Sequence, residues 1–503
     1  MGDPRLRAVR LAYRGRHDGP RDLGYTVYVV GFVALVAVIP VVRLLFLALT
    51  TPAALDALRA ADALAVTASV SGAALSAFAA FGAIRGPAHF PPFLAFVLME
   101  SELPRHRLLR RPFAISTLWV AVAAALVGVV PGVALVLGNE VDLLRCVPLV
   151  LGGAAFGVSA GVVWAWGQRL GRARAWVLST AVGLAVALST AVPWLFVATP
   201  WGWLGMLYPS ADDPVIWPLW ALVALATVAW ATARPILGGI AAADLVDQSK
   251  RWEAASSAAI SGDPSLALST FRPLPSTGRT WNAIALRAPL PAVFWFRDLV
   301  GACRTPVRFT FSYVGLVAGG ALVTVALSWD GTGWLAGAAG ALLSFIALGG
   351  LSDGLRHAAE AYAAPQLYGL SRGSLVRHHS SFPLSSALTA VLVGSGIIVL
   401  CGGTASGLLI SVAVAAVVFL VRLFDSAKGP LSPALLSPIP TPFGDLSGTV
   451  VLVWEADAAL LVTAAGALTV LGFYAGGVAA AAAAVVTAFV AVAVLGVRRF
   501  RQL

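Results

Sequence analysis

Residues Gly476 to Val497 read GGVAAAAAAVVTAFVAVAVLGV and run directly into Arg498-Arg499-Phe500-Arg501. An uncharged run of 22 residues makes a helix of about 33 Å, long enough to cross the hydrocarbon of a bilayer. The arginines behind it mark a cytoplasmic end, because basic residues collect on that side of membrane proteins. Apolar runs of this kind recur along the chain, with arginine concentrated at alternate ends. Six such runs fall in the first half: about Leu23 to Leu49, then Ala63–Ile84, Ala114–Gly138, Leu143–Trp166, Ala175–Val197 and Val215–Leu237. Six more follow at Phe309–Trp329, Gly333–Leu351, Ala387–Gly403, Gly407–Leu423, Val450–Phe473 and Gly476–Val497. The pair at 387–423 is short and closely spaced, so a re-entrant hairpin is the alternative to two crossings there.

Composition agrees. The 503 residues are 59% hydrophobic and 11% charged, against roughly 25% charged in soluble domains, with a mean hydropathy of +0.88. A soluble enzyme, a disordered scaffold and a disulfide-rich module are excluded. The expected fold is an all-α polytopic membrane protein with about twelve transmembrane helices. A first run of 27 residues exceeds the core of a cleaved signal peptide, so it is read as a retained helix.

Net charge is +11, and its placement reads as topology rather than as a nucleic-acid surface. Arginine supplies 32 of the 34 basic residues, with Lys250 and Lys428 as the two lysines. With the N-terminus inside, nearly all of them fall in inner segments; Arg43, Arg59 and Arg145 are the exceptions. Asn139, Glu140, Asp142, Asp212, Asp213 and Asp330 fall outside. Both termini are therefore expected in the cytoplasm, and the multi-pass chain in the plasma membrane. All six histidines lie in inner segments. Cys146, Cys303 and Cys401 have no ligand spacing and read as small apolar fillers, although Cys146 and Cys401 both fall near outer helix ends.

An even number of crossings per half makes the halves parallel repeats. The inner stretches before each third crossing align without gaps at an offset of 267. Glu102-Leu-Pro-Arg-His-Arg-Leu-Leu-Arg-Arg111 lies beside Gly369-Leu-Ser-Arg-Gly-Ser-Leu-Val-Arg-His378, pairing Leu103 with Leu370, Arg105 with Arg372, Leu108 with Leu375 and Arg110 with Arg377. Each stretch reads as a short amphipathic helix along the inner surface. Each half also begins with a basic, partly apolar lead-in, Arg7 to Arg21 and Phe294 to Arg308. The expected division is residues 1–238 as the first repeat, 239–288 as a cytoplasmic linker and 289–503 as the second repeat.

Chemistry is sparse. There is no Gly-x-x-x-x-Gly-Lys-Ser/Thr phosphate loop, no paired catalytic carboxylates and no metal-ligand spacing, so the chain is expected to be no enzyme. Arg43, Arg145, Glu455 and Asp457 are candidate charges in or at the edge of apolar runs. The arginines lie close enough to helix ends to snorkel, and a proton-coupling role is the alternative for the two carboxylates. Gly157-x-x-x-Gly161 and Gly315-x-x-x-Gly319 read as close-packing faces, and Pro40, Pro131 and Pro193 as bends.

Two six-crossing units with lead-ins and a Leu-Pro/Ser-Arg-x-x-Leu-x-Arg stretch between the second and third crossings resemble the permeases of type-2 ATP-binding-cassette exporters, in the fused actinobacterial form. The usual Leu-Pro-x-Ser element is only partly kept, as Leu103-Pro104 and Leu370-Ser371. The resemblance implies that Arg105, Leu108, Arg110, Arg372, Leu375 and Arg377 sit on coupling helices. It also implies a separate nucleotide-binding ATPase, two copies per chain, which would carry ATP and Mg, and export of an amphipathic compound, peptide or lipid. Membrane lipid is the other implied partner. The alternatives are a proton-coupled carrier of the major-facilitator kind and a non-transporting membrane scaffold. The former's diagnostic loop is absent at 85–111 and survives only in part at Gly349-Gly-Leu-Ser-Asp353.

Overall fold

The computed structural model describes residues 39–60, 62–209, 215–260, 270–272, 275–284, 288–328, 333–363, 369–429, 440–441, 444–445 and 447–502, with single positions at 28, 31, 35, 435 and 437. The first lead-in and about half of the first expected crossing lie outside these residues. The chain divides into two compact units, Met1–Ala254 and Ala255–Leu503. Nine helices among the described residues are long and apolar enough to span a membrane.

In the first unit α1 (Ile39–Leu49) and α2 (Pro52–Arg59) precede α3 (Asp62–Ile84), α4 (Pro92–Met99), α5 (Arg105–Leu137) and α6 (Leu143–Ala191). Then come α7 (Pro193–Ala198), α8 (Pro200–Met206), α9 (Trp217–Gly238) and α10 (Ala242–Ile260), whose last six residues belong to the second unit. A 49-residue helix would be far longer than a bilayer is thick, and α6 is broken at Gly171, whose φ is +73°. The chain reverses there. Gly152 packs on Leu204 and Leu207, Gly205 on Leu64 and Ala68, and Gly72 on both Val186 and Trp201. Residues 152 and 186 thus lie near one end of α3, where a straight helix would hold them about 51 Å apart. The expected runs at 143–166 and 175–197 are the two arms, joined by a turn with no loop. Pro193 bends no helix; it opens α7 after the break at Val192.

The second unit holds α11 (Leu290–Cys303), α12 (Pro306–Ala326), α13 (Gly333–Leu348), α14 (Asp353–Glu360), α15 (Arg372–Leu400), α16 (Ala405–Ser426) and α17 (Ser447–Gln502). A two-residue antiparallel pair, Pro440–Thr441 with Gly444–Asp445, precedes α17. Helix α17 breaks at Gly476 and Gly477. Its arms fold back on each other, since Arg499 reaches Asp457 at 2.6 Å. Helices α15 and α16 are 29 and 22 residues long, each sufficient to cross as a continuous helix.

The expected surface helices at 102–111 and 369–378 are not separate elements. Their residues form the first turns of α5 and α15, which begin at Arg105 and Arg372, the two positions that the 267-residue offset aligns. Nothing after Pro104 or Ser371 ends the helix before the apolar run starts, so basic turn and crossing form one element. The short helices preceding them are α4 and α14. The expected linker is also partly structured. Helix α10 occupies its first half, with Leu245, Gln248 and Ser249 buried in the first unit.

Packing relies on small residues. A Cβ on Gly157 would stand 2.6 Å from Ala121 Cα, and on Gly161 2.6 Å from Thr117 Cγ2, so α6 lies directly on α5. In the second unit Gly319 and Gly340 face each other across α12 and α13, where a Cβ on either would come within 2.8 Å of the other's carbonyl. Both small-residue faces are therefore contact faces. Lipid tails compete with any apolar side chain, so close backbone contact is what distinguishes a helix partner from lipid. Gly167 is the sharpest case, with Ala79 O only 2.1 Å from its Cβ position, whereas Gly396 meets nothing within 4 Å. Gly167→Ala is expected to destabilise the detergent-solubilised protein by about 1–3 kcal/mol, while Gly396→Ala leaves it unchanged or up to about 1 kcal/mol more stable. Equal thermal unfolding of the two variants would overturn this packing.

Candidate coupling surface

The basic residues of each unit gather at one end of its helices. In the first unit the chain leaves α3 through Arg85-Gly-Pro-Ala-His-Phe90, and this non-helical turn is buried. Its backbone groups need partners. Gln168 Nε2 donates to Ala88 O and to Gln248 Oε1, both at 3.1 Å. Ala88 N donates to Gln168 Oε1 and Gly86 N to Gln248 Oε1, while Gln248 Nε2 donates to Gly82 O. Trp164 Nε1 donates to Arg85 O at 2.6 Å and Ser116 Oγ to Pro87 O at 2.9 Å. This polar knot ties α3, α5, α6 and α10 together.

Above the knot, Leu108, Leu109 and Phe113 of α5 pack with Phe90, Leu94, Leu98, Ile236, Leu237, Ile240 and Leu245. Leu108 is 0% exposed. Its side chain holds α5 to α4 and α9 and has no surface left to offer another subunit. Arg105 is exposed and donates to Ile240 O at 3.0 Å, and Arg107, Arg110 and Arg111 are exposed beside it.

The second unit builds its corresponding end with charges. Lead-in helix α11 is fastened to the first turns of α15. His379 Nδ1 lies 2.7 Å from Asp298 Oδ2, with both side chains under 10% exposed. A carboxylate only accepts, so Nδ1 carries the proton. Phe294 stacks on His378 and meets His379 edge-on, and Trp295 Nε1 donates to Ser385 Oγ. A Cβ on Gly354 would strike the Asp298 carboxylate, so α14 also presses on the pair. Arg308 holds Asp353 with two hydrogen bonds and donates to Gly349 O. Leu375 is half-buried against the cluster of Leu355, Ala358 and Val376. Arg372 and Arg377 are exposed, the former over the Tyr362 ring at 5.9 Å.

The remaining candidates scatter. Arg43 is exposed on α1, and Arg145 is half-buried in the first turn of α6, at the end opposite the arginine-rich one. Asp457 is clamped, with Lys428 Nζ at 3.1 Å and Arg499 Nη2 at 2.6 Å. Lys428 also donates to Glu455 O and sits over the Trp454 ring, and Arg499 lies 3.8 Å over Phe424. The carboxylate thus ties α16 to both arms of α17. Cys146 is a buried free thiol against Gly132, as a small filler should be.

The Asp298–His379 pair and the Gln168–Gln248 contact were not evident from sequence. Their partners are 81 and 80 residues apart, and the signal available, an amide just past an apolar run at Gln168, bears on the second alone. Among the described residues no cluster of His, Cys, Asp or Glu could hold a metal. Compared with protein-family models, curated proteins and solved structures, the chain matches none.

Two outcomes follow from these contacts. Asp457→Asn leaves two largely buried cations without their counter-ion and is expected to cost about 3 kcal/mol, read as a lower unfolding temperature; an unchanged temperature would remove the clamp. Second, burial and the neighbouring Arg85 charge pull the His89 imidazole from 6.5 down to about 4. The unfolded chain therefore takes up this proton at a higher pH than the folded one. Stability attributable to His89 falls as pH drops from about 6.5 towards 4, and His89→Gln should flatten that part of the unfolding profile.

Proposed function

We propose that the chain is the membrane permease of an ATP-binding-cassette exporter of the type-2 kind, with twelve crossings in two parallel repeats and the arginine-rich ends in the cytoplasm of a plasma-membrane protein. The observation that carries the reading is the matched start of α5 and α15. Each begins at the residue that the internal offset predicts, follows a short helix, and presents exposed arginines from a turn whose apolar side packs into its own unit. Two such basic platforms suit two copies of a separate ATPase, which would carry ATP and Mg. Rim carboxylates on that subunit would pair with Arg105, Arg110, Arg372 and Arg377. Leu108 supports its platform from beneath, while half-buried Leu375 can still contribute an edge. The cargo fitting a chain with this little intramembrane charge is an amphipathic compound, peptide or lipid. Against a proton-coupled carrier stands the clamped Asp457.

Copurification tests the proposal. The tagged chain should retain a phosphate-loop ATPase, and combining Arg105→Glu and Arg110→Glu with Arg372→Glu and Arg377→Glu should cut the retained ATPase at least about tenfold, since reversing rim charges costs upwards of a kcal/mol in each contact. Undiminished association of a normally folded variant would overturn the assignment of these turns.

A further inference from the structure

The cations at the arginine-rich ends are neutralised differently in the two units. In the second, Arg308, Arg422, Lys428 and Arg499 each contact a carboxylate, from Asp353, Asp425 or Asp457. In the first, the ion pairs among the described residues are those of Arg59 with Asp56 and Glu140, on the short helix before α3 and far from the knot. No carboxylate pairs with Arg85, Arg172 or Arg251 among the described residues.

Along the chain, each of these three arginines adjoins a residue of the polar knot. Arg85 adjoins Gly86, which packs on the Gln168 side chain; Arg172 is four residues beyond Gln168, next to the reversal at Gly171; Arg251 is three residues beyond Gln248. The Arg85 guanidinium stands 4.1 Å over the Trp252 ring, against which His89 also packs edge-on. Arg85 Nε is buried with no hydrogen-bond acceptor among the described residues. Arg172 and Arg251 lie within electrostatic reach of each other. Half-buried like charges with no counter-ion repel one another, and a bound anion removes that cost. Guanidinium groups match phosphate oxygens two at a time.

We propose that this end of the first unit binds a phosphate group between Arg85, Arg172 and Arg251, beside Trp252. The source that the placement favours is the headgroup of an anionic phospholipid. The site lies at the end of a 23-residue apolar helix, at the depth where headgroups lie. Trp164 and Trp252 flank Arg85 there, as aromatic residues do at a membrane interface. The proposal does not rest on the coupling reading, since it needs no ATPase.

The test uses the full chain in neutral detergent, free of any partner. Native mass spectrometry would count adducts of phosphatidylglycerol and phosphatidylcholine, and thermal unfolding would be followed with and without inorganic phosphate. The wild-type chain should retain phosphatidylglycerol over phosphatidylcholine, and Arg85→Gln and Arg172→Gln should each lower that preference about fivefold, the effect of one basic residue at an anionic surface. Arg279→Gln, exposed and in the second unit, serves as the control and should not change it. Protection by inorganic phosphate that the same substitutions abolish, without lipid preference, would assign the site to a soluble phosphate ester. Equal retention of both lipids together with no effect of phosphate would overturn the proposal, as would a preference that survives the double substitution in a chain that unfolds normally.

Discussion

Every peptide group that leaves a helix in an apolar medium must find a partner within the protein, and this constraint organises both units. At three places where the chain stops being helical, a side chain from another helix reaches the freed backbone. Gln168, Gln248, Trp164 and Ser116 serve the turn after α3. Arg308 and Arg422 serve the corresponding turn after α13, donating to Gly349 O and Phe345 O. At the far end of α12, Tyr474 donates to Ala326 O at 2.5 Å. The amides and the arginines differ chemically yet do the same task. Those polar side chains are costly to place near lipid and are retained where a backbone group requires them.

Small residues set the rest. Gly153, Gly157 and Gly161 on α6 and their partners on α5 bring backbones close enough that added carbons would overlap. In the second unit Gly466 and Gly337 do the same for α17 and α13. With the spans only partly buried inside their units, large apolar side chains such as Leu118, Trp119 and Val127 remain exposed for lipid. Size thus separates protein-facing positions from lipid-facing ones, because hydrophobicity cannot.

The apolar runs and the glycine faces were legible in the sequence, since each depends on local spacing, whereas the basic turns at 105 and 372 read as separate surface helices and are the starts of α5 and α15. Leu108 shows where local spacing stops being informative. In a basic amphipathic turn an apolar residue has two destinations, a partner outside the chain or a neighbour within it, and periodicity is the same for both. The neighbour proved to be Ile236, Leu237 and Leu245, more than 120 residues away. Asp457 posed a similar ambiguity. Its distance from Arg499 along the chain hid the fact that the break at Gly476 and Gly477 returns one to the other.

The reversal at Gly171 has a mechanical side. A bend made from a single residue stores no slack, so the two arms of α6 cannot slide or part without unwinding a turn of helix. The arginines flanking that bend, Arg169, Arg172 and Arg174, therefore stand where both arms meet, and a displacement there is shared by the two.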